Sequence, residues 1–174
     1  MRILVLCKRA PFPVTDGESL RIFNHARGLR AAHELDLVCT GSGEPPAELH
    51  ALFGSVTVLP ARRASAPATL LARLRAAFSV AAFAPPFEAV RAHLQELLRS
   101  RHYDVIWTST DMVTSIPAAA GVPILTDVCD DGVLLLEREL ARTRGLLPRA
   151  RVFKRIQVAK KFERRVFGPT DACL

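Results

Sequence analysis

The sequence lacks most of the short patterns that identify common catalytic and nucleotide-binding sites. It contains no GxGxxG, no GxxxxGK[ST] and no GxSxG, and no two of its five histidines stand four residues apart. The common nucleotide-binding fingerprints and the nucleophile elbow of serine hydrolases are therefore excluded. No helical histidine pair indicates a metal site.

Two further absences bear on the location of the protein. No run of eighteen apolar residues occurs, so no segment is predicted to span a membrane. The four cysteines are far apart and never spaced as CxxC; they are Cys7, Cys39, Cys129 and Cys173. Because this spacing indicates neither a disulfide framework nor a metal site, we expect buried free thiols and a cytoplasmic protein.

The sequence does contain enough apolar residues for a core, together with a very uneven charge. The chain has 174 residues, 49% of them hydrophobic, which suits one globular domain. Its net charge is +7, and residues 149–165 alone contain eight basic residues against one acidic residue. The other 16 basic and 16 acidic residues cancel. The excess therefore needs a local explanation in residues 149–165, which we call the basic segment.

Short apolar runs alternate with segments of helical period along the chain. The runs are nearly continuous in apolar character, as expected for strands that are covered on both faces. The predicted strands are Ile3–Cys7, Leu35–Cys39, Ser55–Leu59, Val105–Thr108 and Pro123–Thr126, and the predicted helices are Leu20–Ala32, Ala47–Phe53, Ala68–Phe83, Phe87–Arg101 and Met112–Ala120. This alternation predicts an α/β fold with a doubly wound, mostly parallel, Rossmann-like sheet. The final TDACL resembles the start of one more strand, so we expect a truncated chain.

The loop after the first predicted strand lies where open α/β sheets bind ligands, at the carboxyl ends of the strands. Gly17 lets the backbone approach a ligand closely or take a positive φ. The helix that follows begins with N–H groups that suit a phosphate or a sugar hydroxyl, and Asp16 or Thr15 can cap it. The alternative is that Asp16 and Gly17 form only a turn and a helix cap.

The order of these features resembles a known family. A P-x-P loop at residues 11–13 is followed by Gly17, Arg21, an FN pair at residues 23–24, Leu29 and His33. Together with RHYDVIWTST, GVPILTDVCDD and KKFERRVFGPTDACL, this arrangement is similar to the amino-terminal domain of GT-B glycosyltransferases of family four. The similarity is strongest to the sugar transferases of bacterial exopolysaccharide systems, and it is weakest over residues 41–85.

The resemblance implies one half of a GT-B architecture, in which a sugar moves from a nucleotide-sugar donor to a glycan or lipid-linked acceptor between two Rossmann-like domains. Residues 1–174 would chiefly hold the acceptor. The carboxy-terminal donor-binding domain is absent from the sequence, so we expect the chain alone to be inactive. No metal ion or other cofactor is expected. Glu18 departs from the second glycine that many relatives have, and its carboxylate would repel a phosphate.

The resemblance also implies which residues form the site. Asp16, Gly17 and Arg21 are predicted to bind the donor phosphate or the acceptor. Independently of the resemblance, Ser109, Thr110 and Asp111 follow the fourth predicted strand, so they lie on the same rim and are predicted to line the same cleft.

A second candidate site is the acidic stretch TDVCDD at residues 126–131. Asp127 and Asp130 match acidic positions that recur as D-x-x-D in the similar transferases, and a carboxylate there would accept a proton from an acceptor hydroxyl. Mutual repulsion of the three acids would raise one pKa. The alternative is an acidic cluster that is favoured only by the dipole of the following helix.

The basic segment has helical period. Its predicted apolar arc is Val152, Phe153, Ile156, Ala159, Phe162, Val166 and Phe167, opposite Lys154, Lys161, Arg164 and Arg165. A solvated face is one interpretation. Attraction to anionic lipid headgroups on the inner face of the membrane is another, and it suits a lipid-linked acceptor. No nucleic-acid partner is expected, because aromatic residues are absent from the basic face and no RNA- or DNA-binding motif occurs.

Two functions other than glycosyl transfer stay open from the sequence. One is a non-catalytic Rossmann-like module that binds a small anionic ligand. The other is a basic protein that interacts with a membrane or a nucleic acid.

Overall fold

The computed structural model describes residues 1–61, 69, 79, 83–128, 132–166 and 172–173. Its strands are β1 (Arg2–Cys7), β2 (Glu34–Thr40), β3 (Ser55–Leu59), β4 (Val105–Ser109), β5 (Ile124–Asp127) and β6 (Ala172–Cys173). Its α-helices are α1 (Gly17–Leu29), α2 (Ala47–Leu52), α3 (Glu88–Ser100), α4 (Gly132–Arg142) and α5 (Leu146–Val166), and a 3-10 helix covers Thr110–Ser115. Within these ranges, no helix combines the length and the apolar character that crossing a bilayer requires.

The six strands form one sheet in the order β3-β2-β1-β4-β5-β6, and every neighbouring pair is parallel. The chain therefore builds outward from β1 on one side and then returns to add β4, β5 and β6 on the other. This is the order of a doubly wound sheet. The predicted Rossmann-like α/β class is confirmed.

Both faces of the central strand β1 are buried, which explains why its sequence is apolar without alternation. Ile3, Val5 and Cys7 belong to one core cluster with residues of α1 and α2. Leu4 and Leu6 belong to a second cluster with residues of α3. Helices therefore cover both faces of the sheet, and only the ends of the strands are accessible to solvent and ligands.

The predicted strands are confirmed with shifts of one residue at some ends. The β5 strand begins at Ile124 and not at Pro123, because proline has no N–H to donate to a sheet. Pro123 still accepts a hydrogen bond from Ile106 N through its carbonyl, at 2.9 Å. The strand then extends one residue further than predicted. As a result, Asp127 is the last residue of β5 and does not lie beyond it.

Two helix predictions need correction. The α1 helix begins at Gly17, three residues before the predicted start, because Asp16 and Ser19 form a reciprocal capping box. The predicted helix Met112–Ala120 is wrong. Only a 3-10 helix, Thr110–Ser115, is present, since Pro117 disfavours helical backbone at Ile116, whose φ is −71° and ψ is 129°. The predicted helix Ala68–Phe83 falls almost entirely outside the described residues.

The basic segment lies within α5, which forms a helical hairpin with α4. Five residues of its predicted apolar arc are buried, namely Val152, Ile156, Ala159, Phe162 and Val166. Phe153 was predicted in the arc and is instead 54% exposed, because α4 covers a narrower stripe than a half-circle. Phe167 lies outside the described residues.

The amino edge of the sheet is held by a buried carboxylate, Asp36. Ser55 Oγ donates to Asp36 Oδ1 at 2.6 Å, while Tyr103 OH and Arg2 Nε donate to Oδ2 at 2.8 and 3.2 Å. Burial by itself raises the pKa of Asp36, but these donors outweigh it and the net pKa is lowered. Burial and the bond to Asp36 raise the pKa of Tyr103 to about 12. The network thus joins β1, β2, β3 and the loop before β4.

We predict that Asp36→Asn lowers the free energy of unfolding by about 2–3 kcal/mol near neutral pH, because it removes the charged acceptor of three donors. Since the folded pKa of Asp36 lies below its unfolded value of about 3.9, its contribution is present above that pH and is lost as the pH falls through the folded pKa. For Tyr103 the contribution is present below about pH 10 and is lost as the pH rises toward its folded value.

Urea unfolding followed by circular dichroism at acid, neutral and alkaline pH measures both effects. Glu34→Gln is the control. Glu34 also faces Arg2, but it is exposed and its carboxylate lies 3.7 Å from Arg2 Nε, which is longer than a hydrogen bond. Equal stabilities of the two variants at neutral pH would contradict the prediction.

Candidate functional site at the carboxyl edge of the sheet

The direction of winding changes between β1 and β4, which are neighbours in the sheet but distant in the chain. At such a point the loops after the two strands leave in opposite directions and open a crevice at the carboxyl edge. Lys8 follows β1 here and Asp111 lies in the 3-10 helix after β4. Lys8 Nζ and Asp111 Oδ2 are 2.8 Å apart, so one ion pair bridges the crevice.

Asp16 caps the helix that starts at this edge. Its Oδ1 accepts a hydrogen bond from Ser19 N at 2.8 Å, and its own N–H donates to Ser19 Oγ at 3.0 Å. Arg9 also pairs with the Asp16 carboxylate. The hydrogen bonds from Ser19 hold the pKa of Asp16 below its ordinary value. The cap predicted from the sequence is confirmed, while a role of Asp16 in ligand binding stays a prediction.

Gly17 is the first residue of α1, and its backbone does not have the positive φ that was one of two predicted reasons for a glycine. Positive φ among the described glycines occurs at Gly43, Gly121 and Gly145. A Cβ added to Gly17 would meet nothing within 4 Å. The glycine is therefore required neither for a positive φ nor for close packing within the chain, so close approach of a ligand and a simple turn with a helix cap both stay open.

We predict that Gly17→Ala folds normally and is as stable as the wild type or more stable, because alanine is favoured over glycine in a helix by up to about 1 kcal/mol. If a ligand approaches the backbone here, Gly17→Val should weaken its binding at least tenfold while leaving thermal unfolding near the wild-type midpoint. Differential scanning calorimetry and a ligand titration measure the two quantities separately. A valine variant that binds like the wild type would reduce Gly17 to a turn residue.

Glu18, the next residue, points its carboxylate into the crevice. Burial raises the pKa of Glu18, as do the charges of Asp111 and Asp16, whereas Ser109 and Lys8 act in the opposite direction and do not cancel the effect. The Ser109 hydroxyl, only 4% exposed, lies in hydrogen-bonding contact with the Glu18 carboxylate, although the geometry is not that of a well-formed bond. Among the described residues, buried Glu18 Oε1 has no well-formed hydrogen-bond partner. A polar ligand could complete the hydrogen bonding of this pair.

Arg21 and Asp127 were predicted as site residues from separate parts of the sequence, and the structure brings them together. Arg21 Nη2 is 2.5 Å from Asp127 Oδ1, and Asp127 is only 2% exposed. The Thr110 hydroxyl donates to the main-chain oxygen of Asp127 at 3.2 Å. Three predicted site residues thus meet on one rim formed by α1, β5 and the 3-10 helix. Asp127 as an acid–base residue stays a prediction.

The remaining predicted residues lie elsewhere. Asp130 falls outside the described residues. Lys154, Lys161, Arg164 and Arg165 lie on α5, where Lys154 is half-buried and the other three are exposed. Arg164 Nε donates to Lys160 O at 3.3 Å. In the described ranges, no group of three or more histidine, cysteine or acidic side chains is arranged to hold a metal ion.

Two cavities of about 500 Å³ lie at the opposite, amino edge of the sheet. Both are lined by Arg2, Arg30, His33 and Glu34, and one also reaches Asp36. The buried carboxylate there is already satisfied by donors of the protein itself. These cavities therefore surround a structural network, although His33 Nδ1 in their lining is also buried without a hydrogen-bond partner among the described residues. Among the described strand residues, the buried hydroxyls without a well-formed partner are those of Ser109 and Thr126, toward the carboxyl edge.

Sequence reasoning missed two residues of the crevice, Lys8 and Glu18, whereas Asp111 was predicted to line the cleft together with Ser109 and Thr110. Lys8 directly follows the first predicted strand, so its position after a strand end was a usable signal. Glu18 was regarded only as an obstacle to phosphate binding. Its contact with Ser109 depends on β4 lying next to β1, which no local pattern reveals.

No family model and no curated protein matches the chain. Among solved structures, Arabidopsis thaliana UGT89C1 complexed with UDP is similar over 100% of this chain, with 12% sequence identity and a TM-score of 0.48. Phytolacca americana UGT2 complexed with UDP-2fluoro-glucose and pterostilbene is similar over 84% of it, with 14% identity and a TM-score of 0.47. The chain spans 45% and 34% of the lengths of these two proteins. The Rossmann-like class rests on the strand order of the chain itself.

Proposed function

We propose that the chain is the acceptor-binding half of a glycosyltransferase, which moves a sugar from a nucleotide-sugar donor to a glycan or lipid-linked acceptor. The observation that carries the proposal is the pair Glu18 and Ser109 at the β1–β4 crevice. A carboxylate with a raised pKa stands there in contact with a buried hydroxyl, and Glu18 Oε1 has no well-formed hydrogen-bond partner among the described residues.

Transfer of a sugar to a hydroxyl group is assisted by a proton acceptor placed beside that hydroxyl. An acceptor hydroxyl becomes a better nucleophile as it loses its proton, and a carboxylate with a raised pKa is a stronger proton acceptor than an ordinary one. A sugar hydroxyl could donate to Glu18 and, if the Ser109 hydroxyl turns from Glu18 toward the ligand, accept from Ser109. The two protein groups would thus both bind the hydroxyl and orient its lone pair outward from the crevice.

Asp127 and Asp130 stay in the proposal as the acidic residues that the resemblance implies for catalysis, and the contacts of Asp127 favour a positioning role for it. The Asp127 carboxylate is engaged by Arg21, with Arg21 Nη2 and Asp127 Oδ1 2.5 Å apart. In the proposal, Asp127 therefore fixes Arg21 at the rim, where the cation would face the donor diphosphate together with Gly17 and Asp16. The first proton-accepting role goes to Glu18.

The finer parts of the proposal come from the sequence resemblance. They are a transferase similar to family four and to exopolysaccharide enzymes, a carboxy-terminal domain that holds the nucleotide sugar, and no need for a metal ion. A location in the cytoplasm, peripheral to the inner face of the membrane, is supported by the concentration of the whole charge excess on the basic segment. Lys154, Lys161, Arg164 and Arg165 would make that contact.

A module that binds a small anion is the second candidate, and one observation favours it. The open space at Gly17 lies at the first turn of α1, where N–H groups and the helix dipole attract anions. Glu18 opposes it, because a carboxylate beside the same turn repels an anion. Glycosides and pyrophosphate therefore discriminate the two functions.

We predict that methyl glycosides at millimolar concentration shift the amide resonances of Gly17, Glu18, Ser109 and Asp111 in a saturable manner in the isotope-labelled chain. Sugar hydroxyls complete the unsatisfied groups there, so at least one glycoside should act. Inorganic pyrophosphate should cause smaller shifts at equal concentration. Larger shifts with pyrophosphate would favour the anion module, and the absence of saturable shifts with every glycoside would contradict the proposed function.

We also predict that Glu18→Gln weakens glycoside binding about tenfold, equivalent to about 1.4 kcal/mol, while stabilising the fold near neutral pH. The folded pKa of Glu18 lies above its unfolded value, so the ionised carboxylate destabilises the folded protein at neutral pH, and this penalty vanishes below the unfolded pKa.

Thermal unfolding near neutral pH and at about pH 3 tests the sign, since the gain should be present only at the higher pH. Glu44→Gln, on an exposed loop, is the matched control and should change neither quantity. A stabilised variant with unchanged glycoside affinity would mean that Glu18 is strained without being part of the binding site.

A further inference from the structure

The tip of the α4–α5 hairpin presents two leucines to solvent. Leu146 is 88% exposed and Leu147 is 76% exposed, at the start of α5. Single exposed leucines are ordinary on protein surfaces, but two adjacent and almost fully exposed leucines are costly unless something covers them. We call residues 142–151 the hairpin tip.

The turn that presents these leucines is firmly built. Gly145 has a φ of +89°, which favours glycine, and a Cβ there would lie 3.5 Å from Pro148 Cδ. Arg149 Nη1 donates to Leu140 O at 3.1 Å and to Thr143 O at 3.2 Å, and so closes the carboxyl end of α4. The exposure of the leucines is therefore a fixed feature of the turn.

The tip of the hairpin extends beyond the part of α5 that is buried. Near the tip, α5 packs only on α4 within the described chain, through a cluster that includes Leu136, Val152 and Ile156. Farther along, Phe162 and Val166 pack against residues outside the hairpin. The last buried residue toward the tip is Val152, six residues after Leu146, or roughly 9 Å along the helix axis. Nothing among the described residues covers Leu146 and Leu147.

The charge around the tip has one sign. No acidic residue occurs between Glu139 and Glu163, whereas eight basic residues do. Among those at the tip, Arg142, Arg144 and Arg151 form no ion pair with any residue that the structure describes. The surface that covers the leucines must therefore be apolar inside and anionic outside.

We infer that the hairpin tip inserts Leu146 and Leu147 into the interfacial layer of an anionic lipid bilayer, with the surrounding arginines at the level of the headgroups. Adjacent leucines on a projecting tip match the shallow apolar layer, and the arginines match anionic headgroups. A second copy of the chain fits less well, because it would place an equally basic tip against this one.

This inference refines the membrane contact proposed above and commits to a different surface, since Lys154, Lys161, Arg164 and Arg165 lie farther along α5. It does not depend on glycosyl transfer. The glycoside titration and the vesicle experiment below therefore fail or succeed independently.

The test is sedimentation of the full chain with vesicles of phosphatidylcholine mixed with phosphatidylglycerol, compared with phosphatidylcholine alone. The wild type should bind the anionic vesicles preferentially. The double variant Leu146→Ser, Leu147→Ser should lose at least tenfold in partition coefficient. Leu135→Ser, at an exposed leucine of α4 away from the tip, is the matched control and should bind like the wild type. Circular dichroism verifies that each variant is folded.

The variant with glutamine at Lys154, Lys161, Arg164 and Arg165 separates the two surfaces. This variant should keep part of the vesicle binding. If it loses binding while the double serine variant keeps it, insertion of the tip is overturned, and the charged face of α5 alone explains the binding. Leu147→Trp gives a direct measure of depth, because the single native tryptophan, Trp107, is buried in the core. Its emission should shift to the blue when anionic vesicles are added.

Three further results would overturn the inference. They are absence of binding by the wild type, equal binding by the double serine variant, and an unshifted Leu147→Trp spectrum in the presence of anionic vesicles. Gel filtration adds a fourth: a concentration-dependent dimer that the double serine variant abolishes would identify a second copy of the chain as the occupant of the tip.

Discussion

The burial of β1 between β2 and β4 is the constraint on which the rest of the structure depends. A strand that has parallel neighbours on both sides and helices on both faces exposes no side chain to solvent. The side chains of β1 are therefore apolar almost throughout. The chain can leave it only at the carboxyl edge. The loop at residues 8–16, the cap at Asp16 and the start of α1 lie at that edge for this reason, and β4 delivers Ser109 beside them.

The two edges of the sheet use buried charge in opposite ways. At the amino edge, donors from three parts of the chain surround Asp36 and lower its pKa, so the ionised carboxylate stabilises the fold. At the carboxyl edge, Glu18 is desolvated without an equivalent set of donors, and its pKa is raised. A carboxylate held in an unfavourable environment at the edge where such sheets bind ligands is typical of a functional group. The comparison of the two carboxylates is the physical reason for locating the site at the β1–β4 crevice.

The hairpin of α4 and α5 shows how one segment can serve packing and interaction separately. Its inner face is buried between the two helices, and its outer face and tip carry the charge excess of the chain. Arg149 donates hydrogen bonds to main-chain oxygens of the turn and so stabilises it, whereas the neighbouring arginines are exposed at the surface. The basic residues of this segment therefore do not all serve one purpose, although the composition of the segment suggested a single basic surface.

The sequence by itself determined the features that arise from residues close together in the chain. Continuous apolar runs predicted five strands, Asp16 before Gly17 predicted a helix cap, and the basic segment located the charge excess. Local chemistry also explains the errors, since Pro117 stops the helix predicted at Met112. The tertiary structure alone decided the pairing of Arg21 with Asp127, the contact of Glu18 with Ser109 and the exposure of Phe153. Each depends on which strand lies beside β1 or which face a neighbouring helix covers, and such long-range arrangements are not encoded in any single stretch of sequence.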